Sequence, residues 1–363
     1  MIYRKNEDPC AVMVLVMRRS LLIMIMLVLS AMSLPLITEG ASAHSPAFPG
    51  NNTSLANATL VENPSKSWAI YSHLEESTVQ YYVLDLKAGD RLYLNLIEPT
   101  HEKGTGSLPT MAILGPFLDR NGSLPSSVQI PPGYGWKEIN STIPDQATYE
   151  AFSPSAFLNL AAFDENVASD GRYYIAVFQE PGLQPVHGDY GLAIGYVESF
   201  TITEFILIPF SLLNVYQWEG QSLFQVLAPV VSVFLVGLVS VYHWRRENLT
   251  QMGWAYRFTL VSGLLFLGTA VNTIIQTIIT ISQAGLVVEV AVTLIFILAP
   301  LLFGWFCLRN ALDGRSALTR HRRIELFIIG LLGLFVWGGM IVGPMIGMIG
   351  SCLPGSKRSQ GKP

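Results

Sequence analysis

The chain has 363 residues, half of them hydrophobic and only 13% charged, with a mean hydropathy of +0.41. Soluble globular domains carry about 25% charged residues, so a single soluble domain is excluded, and three cysteines exclude a disulfide-built mini-protein. Charge divides the chain: four basic and three acidic residues in 1–43, seven against seventeen in 44–200, and eleven against six in 201–363. That asymmetry describes a small acidic domain joined to a basic, apolar one.

Met17-Arg18-Arg19 opens a secretory pattern that continues through an apolar run from Leu21 to Ile37 and closes at Ala41-Ser42-Ala43, the small-x-small spacing that signal peptidase accepts. Residues 1–16 read as an upstream extension and 17–43 as the signal peptide. The alternative is an uncleaved anchor, because the run is nearly long enough to span. Either version exports residue 44 onward, and 44–66 reads as a flexible leader.

From Ser67 to Tyr196 the apolar period is mostly two. Thr78–Leu86 alternates as a strand, Lys87-Ala88-Gly89-Asp90 is a turn, and Arg91–Ile97 resumes the alternation, which predicts a hairpin. Thr110–Leu114 predicts a short buried strand, and Gly171–Phe178 is expected to pair with Asp189–Tyr196. A Pro-, Gly- and Ser-rich stretch, 121–155, reads as a long loop or insertion. The segments "YYVLDLKAGDRLYLNL", "GRYYIAVF" and "GDYGLAIGY" resemble the pre-peptidase C-terminal (PPC) type of secreted jelly-roll domain over 67–198. The resemblance implies an all-β jelly-roll-like sandwich acting as an accessory or binding module outside the cell. It carries over no catalytic residue.

Five sequons fall in this region: Asn51, Asn52, Asn57, Asn121 and Asn140 are the glycosylation candidates. Pro131-Pro132-Gly133-Tyr134-Gly135-Trp136 sets two aromatics on a stiff loop, and Tyr134 and Trp136 are the candidate recognition residues; the alternative is that they fold back over the sandwich edge.

The C-terminal half predicts a helical membrane domain with four spans, at about 221–243, 257–281, 286–308 and 325–350. Residues 200–220 form a juxtamembrane or interfacial segment, and 351–363 a basic tail. With four spans and residues 44–220 extracellular, the Arg-rich loops 244–256 and 309–324 face the cytoplasm, as the positive-inside rule asks, and only Lys357, Arg358 and Lys362 fall outside. Within the spans, Gln276 and Thr280 belong to a polar stripe flanked by Asn272, and Glu289 is placed to hydrogen-bond it. This reads either as glue between helices or as an ion path. Gly339, Gly343 and Gly347 recur every four residues as a packing face, within the chain or against a second copy.

No catalytic constellation is visible, so an enzyme is not expected, and the acidic exported domain argues against nucleic acid. No resident cofactor is called for, with two metal candidates. Cleavage after Ala43 would leave His44 as an N-terminal copper ligand, with His73, His101 or His187 adding a further nitrogen. Calcium has oxygen-rich stretches at Asp119–Gly122 and Asp164–Asn166, neither with EF-hand spacing. The expectation is a cell-surface membrane protein binding an extracellular ligand or partner, as an accessory subunit where it joins a membrane complex. The alternative is a small transporter or copper-handling protein.

Overall fold

The computed structural model describes residues 44–75, 78–106, 108–179, 188–312 and 318–353. The signal-peptide and upstream-extension readings, His187 and the basic tail lie outside them. Two compact units divide the described residues, one covering 44–223 with 278–287, the other 224–277 with 288–353.

The first unit is a sandwich of two sheets. Strands β1 (Ser45–Ala47), β3 (Trp68–Leu74), β5 (Arg91–Pro99), β8 (Thr148–Glu150), β9 (Ser155–Asn166) and β11 (Gly188–Ile194) form one sheet, in the order β1-β3-β11-β5-β9-β8. The other contains β2 (Thr59–Leu60), β4 (Val79–Leu86), β6 (Pro109–Pro116), β7 (Tyr134–Ile139) and β10 (Gly171–Gln179), in the order β2-β4-β10-β6-β7. Leu92, Leu94 and Leu96 of β5 meet Tyr82 and Leu84 of β4 and Tyr173, Ile175 and Val177 of β10 in one core. At about 25 cal/mol per Å² of apolar area removed from water, this interface is the main source of the unit's stability.

Three sequence expectations are corrected here. The 78–97 hairpin does not form: β4 pairs with β2 and β10, whereas β5 pairs with β9 and β11 in the other sheet. Gly171–Phe178 and Asp189–Tyr196 likewise go to different sheets, as β10 and β11. The turns cross between layers, because period-two alternation fixes which side chains face inward but not which strand lies alongside. The supposed leader is ordered, since β1 runs parallel to β3 and β2 parallel to β4.

Helix α1 (Ile202–Trp218) belongs to the same unit. Thr201 caps it: its hydroxyl accepts from the Glu204 N–H at 3.2 Å, while the Glu204 carboxylate accepts from the Thr201 N–H at 2.7 Å. The helix docks on the first sheet. The Trp218 indole N–H donates to the Tyr190 carbonyl at 3.0 Å and its ring meets Tyr71 edge-on at 4.9 Å, while Lys66 pairs with Glu204. Ile202, Ile206, Leu207 and Phe210 on the other side stay exposed. The 200–220 segment is therefore a surface helix with one apolar face uncovered.

Glu219 follows α1, and burial pushes its carboxyl up to about 8 even though Ser155 and the Ala156 backbone hydrogen-bond it. Burial likewise lifts Glu150 to about 7. Unfolded, both carboxyls ionise near 4.5, so between pH 4.5 and 8 the folded unit holds more protons and stability falls as pH rises. The strand signal in far-UV circular dichroism should melt at lower temperature at pH 8.5 than at pH 5. Glu219→Gln should flatten that dependence, by a few kcal/mol at the alkaline end at about 1.4 kcal/mol per pKa unit.

In the second unit, three helices are long and apolar enough to cross a membrane: α2 (Leu223–Gln251) through its Leu223–Trp244 part, α3 (Trp254–Ala284) and α4 (Val290–Leu312). The last seven residues of α3, 278–284, cluster with the first unit. The expected fourth span is not one helix. Residues 325–350 are divided between α5 (Arg320–Phe335) and α6 (Val342–Cys352), with left-handed backbone at Trp337, Gly339, Met340 and Ile341 between them. Apolar composition alone hid this break, because Trp337 to Ile341 are as apolar as a helix interior.

α3 of the same chain lies against Gly339, Gly343 and Gly347, the first of them in the break between α5 and α6. A Cβ on Gly347 would lie 2.7 Å from the Ser262 hydroxyl, and one on Gly343 would lie 3.2 Å from the Leu265 Cβ. Gly347→Leu should cost about 1–3 kcal/mol through overpacking, read as a lower melting temperature of the detergent-solubilised protein, with Gly347→Ala in between.

Candidate metal centre

One group of metal-capable side chains assembles among the described residues: His101, Glu102 and Asp189, with one ligand atom from each lying within 4.8 Å of the others. The fold brings them from distant positions. β5 ends at Pro99 and passes into a single 3₁₀ turn, Thr100–Glu102, which projects His101 outward and Glu102 inward. Asp189 is the second residue of β11, where its register partner on β3 is His73.

The His101 Nε2 lies 3.5 Å from Glu102 Oε1 and 3.7 Å from Asp189 Oδ2. Ligand atoms about 2.0–2.1 Å from a tetrahedral ion are separated by about 3.4 Å, so the spacing suits a cation between these three groups. Supporting contacts hold the carboxylates. The His73 Nδ1 is 2.8 Å from the other Asp189 oxygen, and the Asp189 N–H donates to Glu102 Oε1 at 3.1 Å. Behind β3, the Gln80 amide donates to the His73 carbonyl at 2.7 Å, and the Gln80 oxygen accepts from Ser72 and from Tyr190, whose hydroxyl also meets that of Tyr82 at 2.6 Å. This network joins the two sheets and fixes the strand segment carrying His73.

Glu98 is the residue that sequence reasoning missed. It is 1% exposed, and neither carboxyl oxygen has a hydrogen-bond partner. Burial, reinforced by the charge of Glu102, pushes its carboxyl up to about 8. A buried charged carboxyl without partners is costly, which is why burial favours its protonated form. Its signal was present: 92, 94, 96 and 98 share the inward side of β5, and the fourth of those positions is an acid instead of leucine.

Gly220 completes the surroundings. Its φ of +84° favours glycine, and a Cβ there would sit 3.2 Å from the His101 ring. The turn following α1 thus lies against the histidine.

The other candidates are placed separately. The His44 Nδ1 is 2.5 Å from the Ser67 hydroxyl, and burial lowers its pKa to about 4. Ser67 is roughly 20 Å of strand rise from His73, so His44 does not join the cluster. The Asp164–Asn166 calcium stretch is occupied by ion pairs: Asp164 takes Arg91 through two contacts of 2.7 Å, and Glu165 takes Lys137 at 2.6 Å. Asn52 is buried and its amide donates to the Tyr81 carbonyl at 3.2 Å, which closes that sequon, whereas Asn51, Asn57, Asn121 and Asn140 are exposed. Tyr134 and Trp136 lie on β7 and fold back: Tyr134 meets Tyr174, and the Trp136 indole donates to the Gly122 carbonyl at 3.3 Å beneath Arg120. The exposed aromatic nearby is Phe117, at 89%.

In the membrane unit, Thr269 and Thr273 of the stripe each donate to the carbonyl four residues earlier, as does Thr277 beside it. Gln276 and Thr280 are buried, and Asn272 has an unpaired, buried amide oxygen. Glu289 is half-buried in the turn before α4 and not inside a helix, as the spacing had suggested.

No family model and no curated protein matches the chain. Similar solved structures include the periplasmic g-type lysozyme inhibitor PliG of Aeromonas hydrophila, at 14% identity over 41% of this chain and 97% of that one, TM-score 0.24. They also include CorA, a surface-associated copper-binding protein of Methylomicrobium album BG8, at 10% identity over 43% of this chain and 100% of that one, TM-score 0.18. Likeness at this level says nothing about this chain's ligand.

Proposed function

We propose that this is a membrane-anchored surface protein whose sandwich binds a divalent first-row transition-metal ion at His101, Glu102 and Asp189. The observation that carries the reading is the convergence of one imidazole and two carboxylates from two distant parts of the chain, 101–102 and 189. Nitrogen and oxygen donors without sulfur favour Cu(II) or Zn(II) over Cu(I), and the Irving–Williams order puts Cu(II) first. Three protein ligands leave a coordination position open to water or to an incoming metal complex, which suits capture and release more than permanent structural binding. His73 would act from behind, holding the second oxygen of Asp189 so that the first points at the ion.

The apolar helices supply the anchor, and the arginines that lie between the Leu223–Trp244 span and α3 and at the end of α4 supply the orientation, with the sandwich outside the cell. The PPC-like strand motifs agree with a non-enzymatic module in that place. His101 lies against Gly220, in the turn that follows α1.

The test is equilibrium dialysis of the full-length, detergent-solubilised protein, stripped with chelator, against Cu(II), Zn(II), Ni(II) and Co(II) in turn. Retention of one ion per chain is expected, tightest for Cu(II). Retention of none of the four overturns the proposal.

A further inference from the structure

We infer that residues 320–353 form a re-entrant hairpin, entering the membrane from the face that carries the Arg309–Arg323 loop and returning to that same face. The tail beyond Leu353 then lies on the side of the arginines, opposite the sandwich, and not outside as four full spans would require.

Length is the first reason. An α-helix rises 1.5 Å per residue, so the 16 residues of α5 extend about 24 Å and the 11 of α6 about 16 Å. The hydrocarbon core is about 30 Å thick, so α6 reaches only about its middle.

The break between the helices is a reversal. Four of the five residues from Trp337 to Ile341 have φ between 47° and 64°, and α5 and α6 then pack against each other: a Cβ on Gly330 would lie 2.9 Å from the Pro344 carbonyl, and one on Gly333 would lie 3.1 Å from the Pro344 ring. The open ends of the pair meet. The Arg323 guanidinium, in the first turn of α5, donates to the Ser351 carbonyl at 2.9 Å and also to that of Leu353, at the end of α6.

Contacts with α3 give the depth. The Gly339 N–H donates to the Thr269 hydroxyl at 2.9 Å, and Thr269 is the midpoint of α3. From there α6 descends toward the start of α3: the Ser262 hydroxyl donates to the Gly343 carbonyl at 2.7 Å, and Gly350 lies over Phe258 and Ala255. The tip is thus at mid-depth and the end of α6 is level with the first residues of α3, just after the short link 252–253 from α2. Non-helical backbone at such depth is tolerated where protein buries it. Here Val336, Gly338, Gly339 and Ile341 are buried, and the Trp337 ring stacks on Phe296 at 5.6 Å.

Charge agrees. Four spans leave Lys357, Arg358 and Lys362 on the wrong side, whereas the hairpin puts all eleven basic residues of 201–363 on one face.

The test uses full-length protein in intact cells and a membrane-impermeant maleimide. Cys10 is replaced by serine, and Cys307 is buried in the structure. Exposed Cys352 and a Ser359→Cys variant should label only after permeabilisation, while Lys87→Cys in the sandwich should label in intact cells and fixes the orientation. A C-terminal epitope tag reads the same question: protease should remove it from inverted vesicles and not from right-side-out ones. Labelling of Cys352 or Ser359→Cys in intact cells, or loss of the tag from right-side-out vesicles, overturns the hairpin. Both results are independent of whether the sandwich binds metal.

Discussion

Full-length protein carrying His101→Ala together with Asp189→Asn should lose at least about 100-fold in affinity for Cu(II) and Zn(II), since even supporting residues behind a metal ligand are worth 10- to 100-fold. Two of three ligands are removed, and the Glu102 carboxylate that remains cannot hold a divalent ion alone against water. Isothermal titration calorimetry on the solubilised protein measures it. The single variant His73→Ala should cost less, because that imidazole touches Asp189 and is not placed as a primary ligand. His44→Ala should leave affinity unchanged, because its ring is turned to Ser67, distant along the sheet from the cluster. If His44→Ala removes binding and the double variant does not, the ion is held at the chain's start and not on the sandwich.

Trp218→Ala should destabilise the sandwich unit by about 3–5 kcal/mol, the range for removing a large buried aromatic. Trp218 is 7% exposed; its indole satisfies the Tyr190 carbonyl, its ring meets Tyr71, and it fills the space left by Gly191. Removing it unpairs a buried carbonyl and frees the last turn of α1. The consequence extends to the metal centre, because Tyr190 follows Asp189 and Gly220 backs His101. Thermal unfolding followed by circular dichroism reads the first effect. A drop in metal affinity of about 10-fold, typical of a disturbed supporting residue, reads the second. Trp218→Phe should recover most of the stability while still lacking the N–H donor.

These two positions show what the sequence could and could not convey. Alternation located β4, β5, β6, β10 and β11 to within a few residues, because a half-buried strand needs an apolar residue at every second position. It could not pair them: β4 and β5 adjoin across a four-residue turn and still join different sheets. Since His73 and Asp189 are neighbours only because β3 and β11 are, the centre was invisible until pairing was known. The histidines had been noticed singly, as possible helpers of His44, but the carboxylates that organise them had not. Glu102 follows His101 directly yet reads as one more acid in an acidic domain, and the strand expected at Arg91–Ile97 stops short of Glu98, two residues before β5 ends. The long β9 went unrecognised because Ser155–Asn166 follows a Pro- and Ser-rich stretch that resembles loop.

The membrane half was legible for a simpler reason: apolar length determines a span, and α2, α3 and α4 fall within a few residues of expectation, with α3 and α4 each running a few residues beyond. The exception at 336–341 follows from the same physics. Nothing in hydropathy separates an apolar residue with helical backbone from one with left-handed backbone, and the glycines that permit the reversal also read as a helix packing face. Both descriptions turned out to apply to one segment.

The most direct measurement of the central assignment is pulsed electron paramagnetic resonance on full-length protein loaded with one equivalent of Cu(II). Modulation from an imidazole nitrogen, in a coordination sphere otherwise of oxygen ligands, is expected, and it should vanish in His101→Ala. A spectrum without imidazole coupling, or one that His101→Ala leaves unchanged, would contradict a metal centre at His101, Glu102 and Asp189.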